Sequence, residues 1–283
     1  MIYAFDHRHR RPPRELAELL GGKGANLAEM ASVLELPVPP GFTIVTTACR
    51  RYRDGGWPAS LDVELGRHVA RLERSAGRRL GDPADPLLVS VRSGARFSMP
   101  GMMDTILNLG LNDRSVRALA RTTGDEAFAH RSYARLLAMY GRIVMGVEAA
   151  AFDEPFEAAK AAEGVDDDAR LSARAWKDLC RSHKAAIRAG ARKAFPQDPV
   201  AQLRGAVEAV LRSWDGARAV AYREREGISH DLGTAVNVQA MVFGNRDDRS
   251  GTGVAFTRDA ATGEDRPYGD FLVNAQGEDV VAG

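Results

Sequence analysis

The middle of the chain, residues 112–195, repeats apolar residues at helical spacing and carries almost no strand signal. Leu179, His183 and Ile187, for example, lie four residues apart, which predicts the buried stripe of an amphipathic helix. The segments on either side of this block instead alternate strand-like and helix-like pieces. Alternating strands and helices form layered α/β domains, so the pattern predicts a helical subdomain inserted into such a domain.

Five short segments outside the helical block are rich in β-branched and aromatic residues or alternate apolar with polar residues, as strands do. They are residues 42–46, 87–91, 236–242, 253–258 and 270–274. Helices are predicted over the apolar repeat of residues 61–72 and after Asp198, which supplies an N-cap before Pro199. The predicted fold class is therefore mixed α/β (α+β).

The composition excludes several classes of protein. Of the 283 residues, 45% are apolar and 27% are charged, as in a globular domain and unlike collagen, a coiled coil or a disordered chain. The 39 basic and 38 acidic residues leave a net charge of +1, so any anion site must be local, and neither nucleic acid nor membrane is an expected partner. No apolar stretch approaches the roughly 20 residues of a membrane span or forms a signal core. With two distant cysteines, Cys49 and Cys180, the protein is expected to be cytoplasmic.

Three glycines surround a lysine at the start of a predicted helix, in Gly21-Gly22-Lys23-Gly24. Glycines let backbone N–H groups approach an anion, while the helix N-terminus and the lysine add positive charge. The motif therefore suits a phosphate, although its spacing differs from that of the Walker A loop. The alternative is an ordinary glycine turn beside a solvated lysine.

A second cation, Arg92, follows the apolar segment 87–91, at the kind of strand end where open α/β sheets bind ligands. The planar guanidinium matches phosphate oxygens, but a surface arginine at the end of a strand is the alternative. Residues 92–104 are predicted to be a loop because of their glycine and proline content. This loop also carries Phe97 and three methionines, which predicts either a lid over a ligand or a buried Ω-loop.

Three features near the end of the sequence are compatible with a nucleotide. A strand ending in Gln239, Met241 and Val242 could offer backbone groups to a base. Residues 250–253 could fold their amides over phosphates just before a strand, and Glu278 could accept a ribose hydroxyl or bind Mg²⁺. A half-buried strand, a plain hairpin turn and a solvated loop are the respective alternatives.

The order of these motifs, rather than any one of them, resembles the pyruvate, phosphate dikinase family. The resemblance covers the whole chain, loosely in the helical middle and closely elsewhere. It rests on residues 20–30, 38–42, 90–95, 104–110, 236–244, 250–259 and 273–283. The run Phe-Ser-Met-Pro-Gly-Met-Met-Asp at residues 97–104 distinguishes the chain from the related phosphoenolpyruvate synthases.

This resemblance implies an ATP-grasp-like fold, in which two α/β lobes hold ATP between them with Mg²⁺ as its companion ion. Cationic side chains and glycine loops would then hold the phosphates, and a strand would meet the adenine. The implied ATP-binding residues are Lys23, Arg92 and Gly101 for the phosphates, Thr252 and Gly253 over the transferring end, Gln239, Met241 and Val242 for the adenine, and Glu278 for the nucleoside.

In that family, ATP phosphorylates a carrier histidine on a separate swivelling domain, which passes the phosphoryl group to a pyruvate-binding barrel. This sequence contains neither domain, so no catalytic residue is assigned and the chain is expected to be inactive alone. The histidine and pyruvate domains would act as partners in trans.

The expected organisation has three parts. Residues 1–111 and 196–243 form a first α/β lobe, residues 112–195 form the helical subdomain, and residues 244–283 begin a second lobe that stays incomplete. An incomplete lobe leaves an open sheet edge, which favours self-association. The alternative function is a non-catalytic regulatory or partner-binding module derived from such an enzyme.

Overall fold

The computed structural model describes residues 1–277 and residue 280. Internal contacts divide the chain into two compact units, residues 1–241 and residues 242–283. The finer boundaries expected from the sequence, including those of the helical subdomain, stay a prediction. Among the described residues, none of the helices combines the length and the apolar character needed to cross a bilayer.

The first unit mixes strands and helices, and the described residues of the second unit contribute two strands. The strands of the described residues are, in chain order, β1 (Ile2–Ala4), β2 (Gly41–Ile44), β3 (Arg79–Leu80), β4 (Pro86–Leu87), β5 (Val89–Ala95), β6 (Thr105–Leu109), β7 (Thr234–Ala240), β8 (Gly251–Phe256) and β9 (Tyr268–Val273). The α-helices of the same residues are α1 (Ala17–Ser32), α2 (Thr46–Gly55), α3 (Ala59–Ala76), α4 (Ser115–Thr123), α5 (Glu126–Ile143), α6 (Ala150–Glu163), α7 (Ala173–Ala191), α8 (Pro199–Ser213) and α9 (Ala217–Glu226).

Five strands form the main sheet of the first unit in the order β1-β2-β7-β5-β6, and every neighbouring pair is antiparallel. β7 is the central strand and is bonded to β2 on one side and to β5 on the other. In this register Arg92 of β5 lies opposite Asn237 of β7 and Thr105 of β6. Arg92 is therefore held inside the sheet by strands on both sides.

The predicted loop of residues 92–104 is wrong at its start. Residues 92–95 extend β5 and pair with β7 as far as Thr234, so only residues 96–104 connect β5 to β6. The ladder explains the difference, because β7 offers a complete row of backbone partners that outweighs the local preference of serine and glycine for turns.

Helices cover β7 on both faces. α1 contacts β2, β5 and β7, and a side chain at Gly24 would meet Thr43 and Asn237, so α1 lies on the face that carries these two residues. The alternate residues Val236 and Val238 are fully buried on the opposite face, and α2 and α8 also contact the strand. Because helices cover both of its faces, β7 is a rigid support for functional residues near its end.

The helical block is built from α4 to α7, with α5 packed against α4 and α7, and α6 packed against α7. The predicted stripe of Leu179, His183 and Ile187 is buried, which confirms it as a core-facing surface. The predicted N-cap is confirmed too, since the Asp198 carboxylate accepts hydrogen bonds from two N–H groups in the first turn of α8.

The described residues of the second unit are organised around β8 and β9, which pair antiparallel from Gly251 opposite Val273 to Phe256 opposite Tyr268. The prediction that residues 250–253 precede the strand is wrong for Gly251 and Thr252, which belong to β8, whereas Gly253 lies in the strand as the predicted segment 253–258 has it. Pairing with β9 explains this extension, because it provides backbone partners along the whole of β8.

Candidate anion-binding cavity

Helix α1 is interrupted in its first half by Gly21, whose φ of 69° and ψ of 162° are not helical. A new helical segment therefore starts at Gly22 and Lys23, as the glycine motif predicts. The first N–H groups of such a segment have no acceptor within the helix, so they are available to an anion.

Glycines let this part of α1 approach the sheet more closely than any other residue would allow. A side chain at Gly21 would lie 1.5 Å from the backbone oxygen of Gly94, and one at Gly24 would lie 2.8 Å from Oγ1 of Thr43. On β5, a side chain at Gly94 would lie 2.4 Å from Nδ2 of Asn237. The close packing brings Lys23 of α1 beside the end of β5.

A cavity of about 660 Å³ lies between this part of α1, β5 and the loop of residues 96–104. Lys23, Arg92, Gly101 and Gln239, which the sequence selects as binding residues, all line it. Its other described polar lining residues are Asn26, Ser93, Arg96, Ser98 and Thr105. Lys23, Arg92 and Arg96 are its ionisable lining residues in the described part of the chain, so the cavity is cationic.

Within the described part of the chain, two of these cations lack a counter-charge. Neither Lys23 nor Arg92 forms a salt bridge with any residue that the structure describes. Lys23 is an exposed residue, and the protein around it removes its ammonium group from water only in part. This removal from water, and secondarily the positive charge of Arg92, lower the pKa of Lys23. An anion in the cavity would relieve the repulsion between the two cations.

The loop of residues 96–104 lines the cavity with both polar and apolar groups. Met99 is buried, whereas Phe97 is 45% exposed, so the loop is neither fully buried nor a free flap. Gly101 has a φ of 70°, which only glycine adopts readily, and a side chain there would meet no atom within 4 Å. At the end of the loop, burial raises the pKa of Asp104, although Arg218 lies 3.9 Å away.

The remaining predicted binding residues are Met241 of the first unit, three residues of the second unit and Glu278. Met241 is not among the described lining residues of the cavity; the Met241 sulfur accepts a hydrogen bond from the N–H of Asn108. Val242, Thr252 and Gly253 belong to the second unit, where Val242 is 74% exposed and the Thr252 hydroxyl donates to the backbone oxygen of Ala275 at 2.6 Å. Glu278 lies outside the described residues.

Sequence reasoning missed one cation of the cavity, Arg96. Its signal was present, because Arg92 and Arg96 flank the same Ser-Gly-Ala run. Gln239, which was expected to meet the adenine, lines the cavity, and its side-chain amide donates to the backbone oxygen of Pro39 at 3.1 Å.

Comparison with known proteins shows which family this chain resembles. The family model described as "Pyruvate phosphate dikinase, AMP/ATP-binding domain" matches residues 17–57 and 56–283. The chain is 54% identical to the pyruvate, phosphate dikinase of Rhizobium meliloti (strain 1021) and 51% identical to that of Clostridium symbiosum. It is 53% identical to the chloroplastic pyruvate, phosphate dikinase 1 of Oryza sativa subsp. japonica.

Each of these alignments covers the whole of this chain but only 32%, 32% and 30% of the three relatives, respectively. The chain thus spans about a third of the length of the curated relatives it matches. The mixed α/β architecture fits the ATP-grasp-like fold that the sequence resemblance implies. The family model matches more than half of the chain, and the chain therefore belongs to the pyruvate phosphate dikinase AMP/ATP-binding domain family.

Proposed function

We propose that the cavity between α1, β5 and residues 96–104 binds the phosphates of ATP. One observation carries the proposal: each ionisable side chain among the described lining residues, Lys23, Arg92 or Arg96, is a cation. A polyphosphate carries several negative charges, and guanidinium and ammonium groups bind it through charge-assisted hydrogen bonds. Membership of an AMP/ATP-binding family supports the same ligand.

Within a whole enzyme of this family, we propose that the bound ATP phosphorylates a carrier histidine on another domain, on the way to phosphoenolpyruvate. Phosphoryl transfer depends mainly on positioning and on cations that stabilise charge on the transferring oxygens. Lys23 and Arg92 would supply these charges, and the backbone of the glycine loop would exclude water from the phosphates. The histidine and pyruvate-binding domains are proposed partners of this chain.

We also propose that ATP is bound as its Mg²⁺ complex, because Mg²⁺ is usually held by nucleotide phosphates together with one or two carboxylates. The cavity residues that the structure describes include no carboxylate, so they do not fit the protein's share of a Mg²⁺ site. No step of the proposed binding is assigned to the ion.

Removing either cation should weaken ATP binding. We expect Lys23→Ala and Arg92→Ala each to raise the Kd for ATP by about 10- to 100-fold, since each removes a charge-assisted contact. Isothermal titration calorimetry of the 283-residue chain measures this directly. Lys193→Ala is the matched control, because Lys193 is exposed and absent from the cavity lining, and its Kd should equal that of the parent.

The proposal fails if Lys23→Ala and Arg92→Ala give the same isotherms as the parent. It also fails if Lys193→Ala weakens binding as much as they do, since the effect would then reflect net charge rather than a local contact.

ATP affinity should fall as the pH rises through the lowered pKa of Lys23. A bound polyphosphate favours the charged ammonium, so it raises this pKa and binding takes up protons in that pH range. In the absence of ligand, Lys23 makes the free energy of unfolding increase with pH between its lowered pKa and the ordinary value of 10.5. In that range the unfolded chain binds more protons than the folded chain, so a rise in pH favours the folded state.

Titrations in buffers of different ionisation enthalpy count the protons taken up. Lys23→Arg should remove this uptake while retaining binding, because arginine stays charged throughout the range. Equal proton uptake by the parent and Lys23→Arg would contradict Lys23 as the responsible group.

A further inference from the structure

Arg96, the first residue after β5, is the third cation of the cavity and is the one that already has a carboxylate partner. One of its terminal guanidinium nitrogens donates to Oε1 of Glu18 at 2.5 Å, and the guanidinium lies 5.3 Å from the centre of the Phe97 ring. Its backbone oxygen lies 3.0 Å from where a side chain at Gly22 would begin, which fixes the residue beside the restarted helix.

The partner carboxylate belongs to the first turn of α1 and is not part of the cavity lining. The Glu18 and Arg96 side chains are 73% and 41% exposed, respectively. An ion pair this exposed contributes little net stability because water and salt screen it. A more highly charged anion inside the cavity can therefore displace Glu18 from Arg96 at little cost.

We propose that Arg96 is a third polyphosphate-binding residue, and that Glu18 competes with the ligand for it. Glu18 holds the guanidinium at the rim of the cavity; when ATP binds, the guanidinium exchanges this carboxylate for phosphate oxygens. Since Lys23 and Arg92 already provide two positive charges, a third is most useful to a ligand with several phosphates. Arg96 would thus determine discrimination between ATP and AMP. This inference rests on the proposed function.

The two members of the pair should have opposite effects on binding. We expect Arg96→Gln to weaken ATP and inorganic tripolyphosphate by about tenfold, as loss of a charge-assisted contact does, and to weaken AMP much less. We expect Glu18→Gln to tighten ATP about two- to fivefold, because the competing exposed ion pair is removed. In the double variant the gain should disappear, leaving the Kd of Arg96→Gln. Isothermal titration calorimetry of the 283-residue chain gives all these constants.

Three controls separate this mechanism from simpler ones. Glu15→Gln makes the same charge change near the start of α1, but Glu15 pairs with Arg11, so its ATP affinity should match that of the parent. Arg96→Lys keeps the charge without the planar fork and should have an intermediate Kd. Thermal unfolding without ligand should give similar melting temperatures for all variants, because the Glu18–Arg96 pair is exposed.

Each result decides the inference. If the parent shows no saturable binding of ATP, the proposed function is overturned and this inference with it. If the parent binds ATP but Arg96→Gln matches it, or weakens AMP and ATP equally, this inference alone is overturned. It is also overturned if Glu18→Gln still tightens binding in the Arg96→Gln background, since the effect would then be a general change in the electric field.

Discussion

Substitution of Gly21 by alanine should lower the free energy of unfolding by about 4 kcal/mol or more, the sum of an overpacked contact and an unfavourable φ. The new methyl group would lie 1.5 Å from the backbone oxygen of Gly94 at a φ of 69°, so α1 must move away from β5. Movement of α1 separates Lys23 from Arg92, and ATP binding should be lost as well. Urea unfolding and calorimetric titration measure the two effects.

Two matched substitutions separate the clash from the other effects of adding a methyl group. Gly124→Ala has a similar φ of 72° with no atom within 4 Å, so we expect only the conformational cost of about 1 to 2 kcal/mol. Gly66→Ala lies in α3 with open space around it and should stabilise the chain by about 0.5 to 1 kcal/mol. If Gly21→Ala costs no more than Gly124→Ala, the close approach of α1 to β5 is wrong.

Substitution of Gln202 by leucine should cost about 4 kcal/mol, because it leaves several buried backbone groups without a partner. The Gln202 side chain is completely buried in α8. Its oxygen accepts from the N–H of Gly110 at 3.1 Å, and its nitrogen donates to the backbone oxygens of Leu111 at 3.0 Å and Pro196 at 2.8 Å. The hydrogen bonds of this one amide therefore hold together the two segments that flank residues 112–195.

Gln197→Leu is the control for this prediction. Gln197 also accepts a backbone hydrogen bond, from Asp113 at 2.9 Å, but it is exposed, so water can replace the lost bond. We expect a loss below about 1 kcal/mol. Equal losses for the two variants in urea unfolding would contradict a special role for the buried amide of Gln202.

Local sequence patterns predicted the elements whose stability depends on near neighbours. The stripe of Leu179, His183 and Ile187 identified a helix face, because residues at this spacing lie on one side of a helix regardless of which element packs against it. Asp198 identified the start of α8 because an N-cap bonds within its own first turn. The glycine motif identified the restart of α1 at Gly22 for the same reason.

Patterns that depend on distant partners were interpreted less well. Arg92 was expected just beyond a strand, but β7 and β6 pair with it and keep it inside β5. The alternation around Asn237 indicated a strand with a single apolar face, yet Asn237 is only 1% exposed and accepts a hydrogen bond from the Thr43 hydroxyl at 2.8 Å. α1 covers this second face, because glycines allow it to lie against the sheet.

The sequence by itself determined the helical block, the α1 restart and the family, because helix spacing, caps and long ordered motifs are properties of the chain read in order. Only the tertiary structure decided which charges share a cavity. Lys23 comes from a helix and Arg92 from a strand far along the chain, and the packing of α1 on β5 brings them together. Arg96 joins them because β5 runs four residues beyond its apolar segment, and the hydrogen bonds that lengthen it come from β7, more than a hundred residues away in the sequence.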